Sequence, residues 1–328
     1  MNYKESEAVL KEIKSADKIL LNCHKSPDPD SVGSALAMAL VLKNLGKEVT
    51  VVCPDNISRE LAFLPGSDAI KTINYADFDF SGFGLFIILD SASEDVITGS
   101  KDIGLPKVPI INIDHHKSNP SFGDINLINT STSSVSELLF NLFGDWHVKL
   151  DKKIATCLYV GIVGDTGCFM YPGTNAKTHE VAAQLMELGA DNVDVLFKLF
   201  RQIPIERMWQ VGELFRNAKV DKQYKFVYSA IDNKIFVSLG ADKLAKNLAN
   251  ALLFQNVKGT NFSVVIVEGE KNTLWVSLRS RVDGFDTTPI AIELGGGGNM
   301  VTSGATIRNI EFSEGVEKVL EVVRKHFR

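Results

Sequence analysis

Apolar positions follow two different periods along this chain. Short continuous apolar runs, of the kind that form strands buried on both faces, occur at "KILLNC" (18–23), "GLFIILD" (84–90) and "VPIINID" (108–114), with a β-branched run at "EVTVVC" (48–53). Helical spacing predicts helices over 31–46, where Gly46 stands as a C-terminal cap, over 135–144 and over 151–167. The charged N-terminal stretch "MNYKESEAVLKEIKSADK" is also helix-like. Strand and helix patterns that alternate in this way predict an α/β domain built on a mostly parallel sheet. Three helical patterns follow, "NAKTHEVAAQLMELGA" (175–190), "VDVLFKLFRQI" (193–203) and "PIERMWQVGELFRNAKV" (204–220). Strand patterns then return at 225–231, 262–270 and 273–280, with "EGEKNT" as a hairpin-like turn, and an amphipathic helix over 315–327 closes the chain. The expected organisation is a first domain over 1–190, a helical connector over 191–219 and a second, smaller α/β domain over 220–328.

Composition narrows the classes. A chain of 328 residues, 45% hydrophobic and 23% charged, can bury two cores and is not disordered. No apolar run reaches the ~20 residues of a membrane span, and no signal-peptide core is present, so a cytoplasmic protein is expected. Cys23, Cys53, Cys157 and Cys168 are scattered without a CxxC, and read as small buried residues rather than disulfides or a zinc site. The net charge of -5 argues against a surface that tracks long nucleic acids, which are held through many phosphate contacts. Phosphate binding, if present, is expected to be local, with metal ions supplying positive charge.

Polar residues cluster just beyond the predicted strands, where open parallel sheets bind ligands. "NCHKSPDPDS" brings His24, Asp28 and Asp30; "FIILDSASED" brings Asp90; "INIDHHKSN" brings Asp114, His115 and His116; and "GIVGDTG" brings Asp165. Asp28 and Asp30 are two apart, so in an extended loop they face opposite sides and suit two different ions. Asp30 reads equally well as a helix cap. Oxygen-rich ligands with one or two imidazoles and no thiolate favour Mn²⁺ or Mg²⁺ over structural zinc. Four aspartates balance two divalent cations; without metal they would repel one another and raise their own pKa values.

These segments, "HKSPDPDSVGS", "LDSASED", "IDHHKSN" and "GIVGDTGCF" in this order, resemble the four motifs of the DHH phosphoesterase superfamily. "SLRSR" (277–281) and "GGGGNMVTSGA" (295–305) resemble the motifs of the DHH-associated C-terminal domain. Size and domain content resemble the stand-alone nano-RNase and 3′-phosphoadenosine 5′-phosphate (pAp) phosphatase type. The resemblance implies a Mn²⁺-dependent hydrolase that turns very short oligoribonucleotides into mononucleotides and also accepts pAp. Its alternatives are a cyclic di-AMP or pApA phosphodiesterase, and a non-catalytic nucleotide-binding module. It implies one ion held by His24, Asp28 and Asp90, and a second held by Asp30, Asp90, His115 and Asp165. Asp114 would orient a histidine, and His116 would face the substrate phosphate or back up the metal site; with Asp90 and His115 these form the implied catalytic set. Ser133 and Ser134 would lie near the phosphate or cap the following helix. Arg279, Ser280, Arg281, Gly296, Gly297, Gly298 and Asn299 would bind substrate with His116. The implied partners are short single-stranded RNA or small nucleotides, with no long duplex and no membrane; homodimerisation stays open. Two departures stand out. Asn299 replaces the histidine that follows the glycines, and Thr302-Ser303-Gly304 replaces Ala-Ala-Gly, so substrate anchoring is where this chain is expected to differ. Pro29 replaces the glycine between the paired aspartates.

Overall fold

The computed structural model describes residues 2–202, 204–240, 251–280, 285–298 and 300–326. Arg281 and Asn299 lie outside these described residues, as do Ile203 and Phe327 at the ends of two expected helices. The chain divides into two compact units, Met1–Gln202 and Ile203–Arg328.

The first unit runs α1 (Ser6–Ser15), β1 (Lys18–Asn22), α2 (Pro29–Asn44), β2 (Glu48–Cys53), β3 (Lys71–Thr72), β4 (Leu85–Leu89), α3 (Glu94–Thr98), β5 (Ile110–Asp114), β6 (Ile125–Ile128), α4 (Val135–Asp145), α5 (Lys152–Asp165), α6 (Ala176–Glu187) and α7 (Asn192–Phe200). Its six strands form a parallel sheet in the order β3-β2-β1-β4-β5-β6. The apolar runs are apolar on both sides because both faces are covered. Ile19, Leu21, Ile87, Leu89 and Ile113 face a large core shared with α2, α4 and α5. Leu20, Val52, Phe86 and Ile88 face a smaller core with Tyr75 and Ile97. Each such buried aliphatic side chain contributes about 1.5–3 kcal/mol relative to exposure.

Helices α2 and α5 approach backbone to backbone. A Cβ at Gly33 would lie 2.5 Å from the Cys157 carbonyl, and one at Gly164 would lie 2.4 Å from the Pro29 ring. Gly46 follows α2 with φ +79°, the left-handed conformation that ends a helix at glycine. Cys23, Cys53 and Cys157 are buried free thiols and Cys168 is half-buried.

The second unit runs α8 (Ile205–Arg216), β7 (Lys219–Asp221), β8 (Phe226–Ile231), α9 (Asn233–Ser238), a 3-10 turn (Ala251–Phe254), β9 (Phe262–Glu270), β10 (Thr273–Ser280), α10 (Thr288–Glu293), β11 (Gly297–Gly298), β12 (Thr302–Arg308) and α11 (Phe312–Lys325). Its mixed sheet has the order β11-β12-β10-β9-β8-β7. One face packs Leu274, Val276 and Leu278 against Ile290 and Val319. The other packs Val265, Val267 and Trp275 against Leu214, Phe236 and Phe254. The expected hairpin turn is the pair Lys271–Asn272, with Asn272 at φ +61°.

Two local expectations change. The helix expected to reach Val220 ends at Arg216, because Lys219–Asp221 pairs with Phe226–Tyr228 as a strand. The glycine-rich stretch, for which the sequence predicted no element, is partly strand. Its second half is a strand in which Ser303, Ala305 and Ile307 are buried while Thr302, Thr306 and Arg308 are exposed. Of the helices expected to form a connector, α7 belongs to the first unit and α8 to the second.

Candidate metal centre

The strand order of the first unit reverses between β1 and β4, since the chain leaves β1 for β2 on one side and later enters β4 on the other. A crevice opens at the carboxyl ends of strands at such a point. His24 follows β1, Asp90 follows β4, and His115 and His116 follow β5. Asp165 is the last residue of α5 and Asp28 the N-cap of α2.

Asp90 is the hub. It is 3% exposed, and its backbone has φ +52°, a strained conformation for a residue with a side chain. Its Oδ2 lies 3.5 Å from His24 Nε2, and its Oδ1 lies 3.6 Å from His115 Nε2 and 3.7 Å from His116 Nδ1. Oδ1 is buried and accepts no hydrogen bond among the described residues. His24 Nε2 is also 3.6 Å from Asp28 Oδ2, and His115 Nε2 is 3.3 Å from Asp165 Oδ2. Ligand atoms thus gather in two adjoining groups, His24–Asp28–Asp90 and Asp30–His115–Asp165, with Asp90 also grouped with Asp114, His115 and His116.

The helix-cap reading applies to Asp28, not Asp30. Asp28 Oδ1 accepts the Ser31 N–H at 2.9 Å. Asp30, one residue inside the helix and 1% exposed, instead reaches across to α4. Its Oδ2 accepts the Val135 N–H at 2.7 Å and its Oδ1 the Ser136 N–H at 3.0 Å. Gly161 on α5 makes room, since a Cβ there would lie 2.5 Å from Asp30 Oδ1. Ser134 caps α4 by accepting the Glu137 N–H, and the Ser133 hydroxyl donates to Glu137 Oε2. Both serines are therefore engaged in building the helix end.

Electrostatics show negative charge in excess. Burial, then Asp90 and Asp28, push Asp165 up to about 8. Burial, Asp90 and Asp165 likewise raise Asp30. Burial disfavours the charged form of His24, but contacts with Asp28 and Asp90 outweigh it and lift His24 to about 11. Protons are retained where cations would otherwise neutralise the carboxylates. An orphaned buried carboxylate oxygen between imidazoles, with donors that are oxygen and nitrogen only, fits hard divalent ions.

Asp114 is fully buried beside the hub, and its oxygens are taken up by hydrogen bonds to neighbouring groups. Its Oδ1 accepts His116 Nδ1–H at 2.8 Å and the His115 N–H at 2.8 Å, and its Oδ2 accepts Asn119 Nδ2–H at 2.6 Å. Burial works to raise Asp114, yet the His116 and Asn119 bonds hold it below the usual carboxylate range. The same bond from His116 lifts that imidazole to about 9. Beneath the centre, Asn22 accepts the Leu89 N–H and donates to Ser91 Oγ, and Asn112 donates to the Ser91 carbonyl. The motif reading passed over Asn22, Asn112, Asn119 and Glu137. The available signal was an asparagine inside each of two otherwise apolar strand runs.

In the second unit, Arg279, Gly296, Gly297 and Gly298 line one open groove of about 600 Å³ on the face of β10 and β12 that carries Ser277 and Thr302. Arg279 Nη1 donates to Ser277 Oγ at 3.2 Å and to the Leu278 carbonyl at 2.9 Å. Ser280 is buried on the opposite side of its strand. The glycines differ. A Cβ at Gly296 would meet the Gly304 carbonyl at 2.0 Å, and one at Gly298 the Thr302 carbonyl at 2.4 Å, so their close approach is to β12 itself. Gly297 has open space around it. Among the described residues, no helix is long and apolar enough to cross a membrane.

Residues 18–162 match the DHH family, N-terminal domain. The chain is 30% identical over 310 residues to the bifunctional oligoribonuclease and PAP phosphatase NrnA of Thermus thermophilus, covering 94% of this chain and 89% of that protein. It is 27% identical to the Bacillus subtilis protein of the same name, covering 97% and 98%. A solved structure of an exopolyphosphatase-related protein from Bacteroides fragilis superposes with a TM-score of 0.89 at 26% identity, over 98% of this chain and 96% of that one.

Proposed function

This chain belongs to the DHH family, and on that premise we propose that it hydrolyses very short oligoribonucleotides to mononucleotides, and pAp, with two divalent ions, Mn²⁺ foremost. It is a hydrolase acting on phosphoester bonds. The observation that carries the reading is Asp90, a buried carboxylate held in a strained conformation with its two oxygens turned to different imidazoles. His24, Asp28 and Asp90 would hold one ion, and Asp30, Asp90, His115 and Asp165 the other. Bound there, the ions supply Lewis acidity to the phosphate oxygens and acidify water.

The chain's own groups do the rest. Asp30, anchored to the α4 amides, and Asp90, fixed by its backbone, keep the ligand set rigid, which limits reorganisation during reaction. His116 is half-exposed, with Nδ1 held by Asp114, so Nε2 on the opposite ring edge donates a proton to the departing oxygen. Arg279 and the open edge at Gly297 take a further phosphate of the substrate. Arg281 and Asn299 join this set as proposals from the motif resemblance. The protein works on nucleotides in the cytoplasm.

The test is a time course with Mn²⁺ on end-labelled RNA of two, five and twenty-four nucleotides, with pAp and cyclic di-AMP in parallel. Fast cleavage of the two short RNAs and of pAp, with little of the long RNA, is expected. Preference for cyclic di-AMP would reassign the protein to second-messenger turnover.

A further inference from the structure

We infer that Asn119 is a positioning residue that, through Asp114, holds His116 in register with the substrate. The inference rests on the phosphoesterase reading above. It starts from an uneven distribution of hydrogen bonds. Asn119 Nδ2 faces three acceptors at once, two on β5 and one just past β4: Asp114 Oδ2 at 2.6 Å, Asn112 Oδ1 at 2.9 Å and the Ser91 carbonyl at 3.1 Å. Its Oδ1 accepts the Ser121 N–H at 2.8 Å, and its own N–H donates to the His116 carbonyl at 3.2 Å. One side chain thus ties the end of β5, the interior of β5 and the segment after β4 to the loop that carries both histidines.

The consequence falls on Asp114. With Oδ2 occupied by Asn119, the carboxylate cannot rotate, and Oδ1 stays aimed at His116 Nδ1 and the His115 N–H. The imidazole of His116 would otherwise turn freely about its side-chain bonds, because its ring is half-exposed. Only an amide serves here. All three partners of Nδ2 are acceptors, so a carboxylate of the same shape would meet them with lone pairs.

The step this geometry serves is balanced as follows. A water oxygen forms the new P–O bond and its proton passes to solvent. The P–O bond to the ribose breaks, its electron pair leaves on the ribose oxygen, and that oxygen takes a proton from His116 Nε2. His116 recovers a proton from solvent. A ribose hydroxyl is a poor leaving group and needs that proton; p-nitrophenolate does not.

The experiment compares the native protein with N119A and N119D, with Mn²⁺, on a dinucleotide and on the p-nitrophenyl ester of a 5′-nucleotide. N119A is expected to lower kcat on the dinucleotide by about 10–100-fold, the usual range for partners behind a site, with KM unchanged. It should leave the p-nitrophenyl ester nearly untouched. N119D, though isosteric, should be at least as damaged. In the metal-free protein, the His116 ring N–H held by Asp114 should give a slowly exchanging, downfield proton signal that N119A loses. Equal slowing of both esters, or an N119A protein that keeps that signal, overturns the inference. If the native protein cleaves neither ester, the phosphoesterase reading fails instead, and the ring signal still decides the role of Asn119.

Discussion

The two units handle polar groups in opposite ways. In the first, Asp30, Asp90 and Asp114 are 1%, 3% and 0% exposed, and the side chains around them are braced from several elements. In the second, the groove beside Arg279 is open, and its shape comes mainly from backbone, where glycines lie against β12. Buried carboxylates are stable only when neutralised or hydrogen-bonded, so each must be placed by more than one contact. An open groove tolerates variation because water can satisfy whatever a side chain leaves unpaired. By the motif resemblance, every implied metal ligand of the first unit is present although Pro29 stands between its paired aspartates, whereas Asn299 and Thr302-Ser303 depart from the motif of the second unit.

The sharpest way to break this contrast is D90N. It removes the charge of the carboxylate proposed to serve both ions and should reduce turnover about a thousandfold, equivalent to about 4 kcal/mol. The metal-free variant should nonetheless be more stable, by about 1 kcal/mol, because it relieves repulsion among the aspartates. Mn²⁺ should raise Tm in the native protein but not in D90N, measured by thermal unfolding with and without a chelator. A native Tm indifferent to Mn²⁺ would contradict the ligand set.

G161A comes next. Its Cβ would lie 2.0 Å from Ser136 Oγ and 2.5 Å from Asp30 Oδ1. It should destabilise the first unit by about 1–3 kcal/mol through overpacking and lower activity with it, which denaturant unfolding and kcat together would show.

R279K keeps the charge but loses the planar fork. KM for a dinucleotide should rise roughly tenfold with kcat little changed, a loss of about 1.4 kcal/mol in binding. A fall in kcat at constant KM would place Arg279 in the chemistry instead. The smallest effect belongs to G297A, where the added methyl meets nothing, so stability should stay within about 0.5 kcal/mol. G296A, one position earlier, would meet the Gly304 carbonyl at 2.0 Å and should be the more costly of the two by unfolding. Equal costs would mean the groove's backbone is not set as described.

Much of the first unit was legible because both faces of its sheet are covered. That condition writes itself as continuous apolar runs, and any charged residue ending such a run stands out. His24, Asp90 and the Asp114–His116 triplet were visible for that reason. β12 was not, because its alternation is carried by Ser303, Gly304 and Ala305, whose small side chains give little contrast. Val220 looked helical as the last apolar position of the 204–220 pattern, and pairing with β8 makes it a strand residue instead.

By itself, the order of residues determined the long apolar strands and the main helices, and which chemistry-bearing side chains lie at their ends, because hydrophobic period and turn chemistry are local properties. Tertiary structure alone decided that β1 and β4 are neighbours, so that His24 and Asp90 meet across a crevice. It alone showed Asp30 as a tie to α4 rather than a helix cap, and brought Asn119 onto the Asp114 that holds His116. These outcomes depend on which strands pair and how closely α2 and α5 approach. Such contacts join residues far apart in the chain, and no local pattern encodes them.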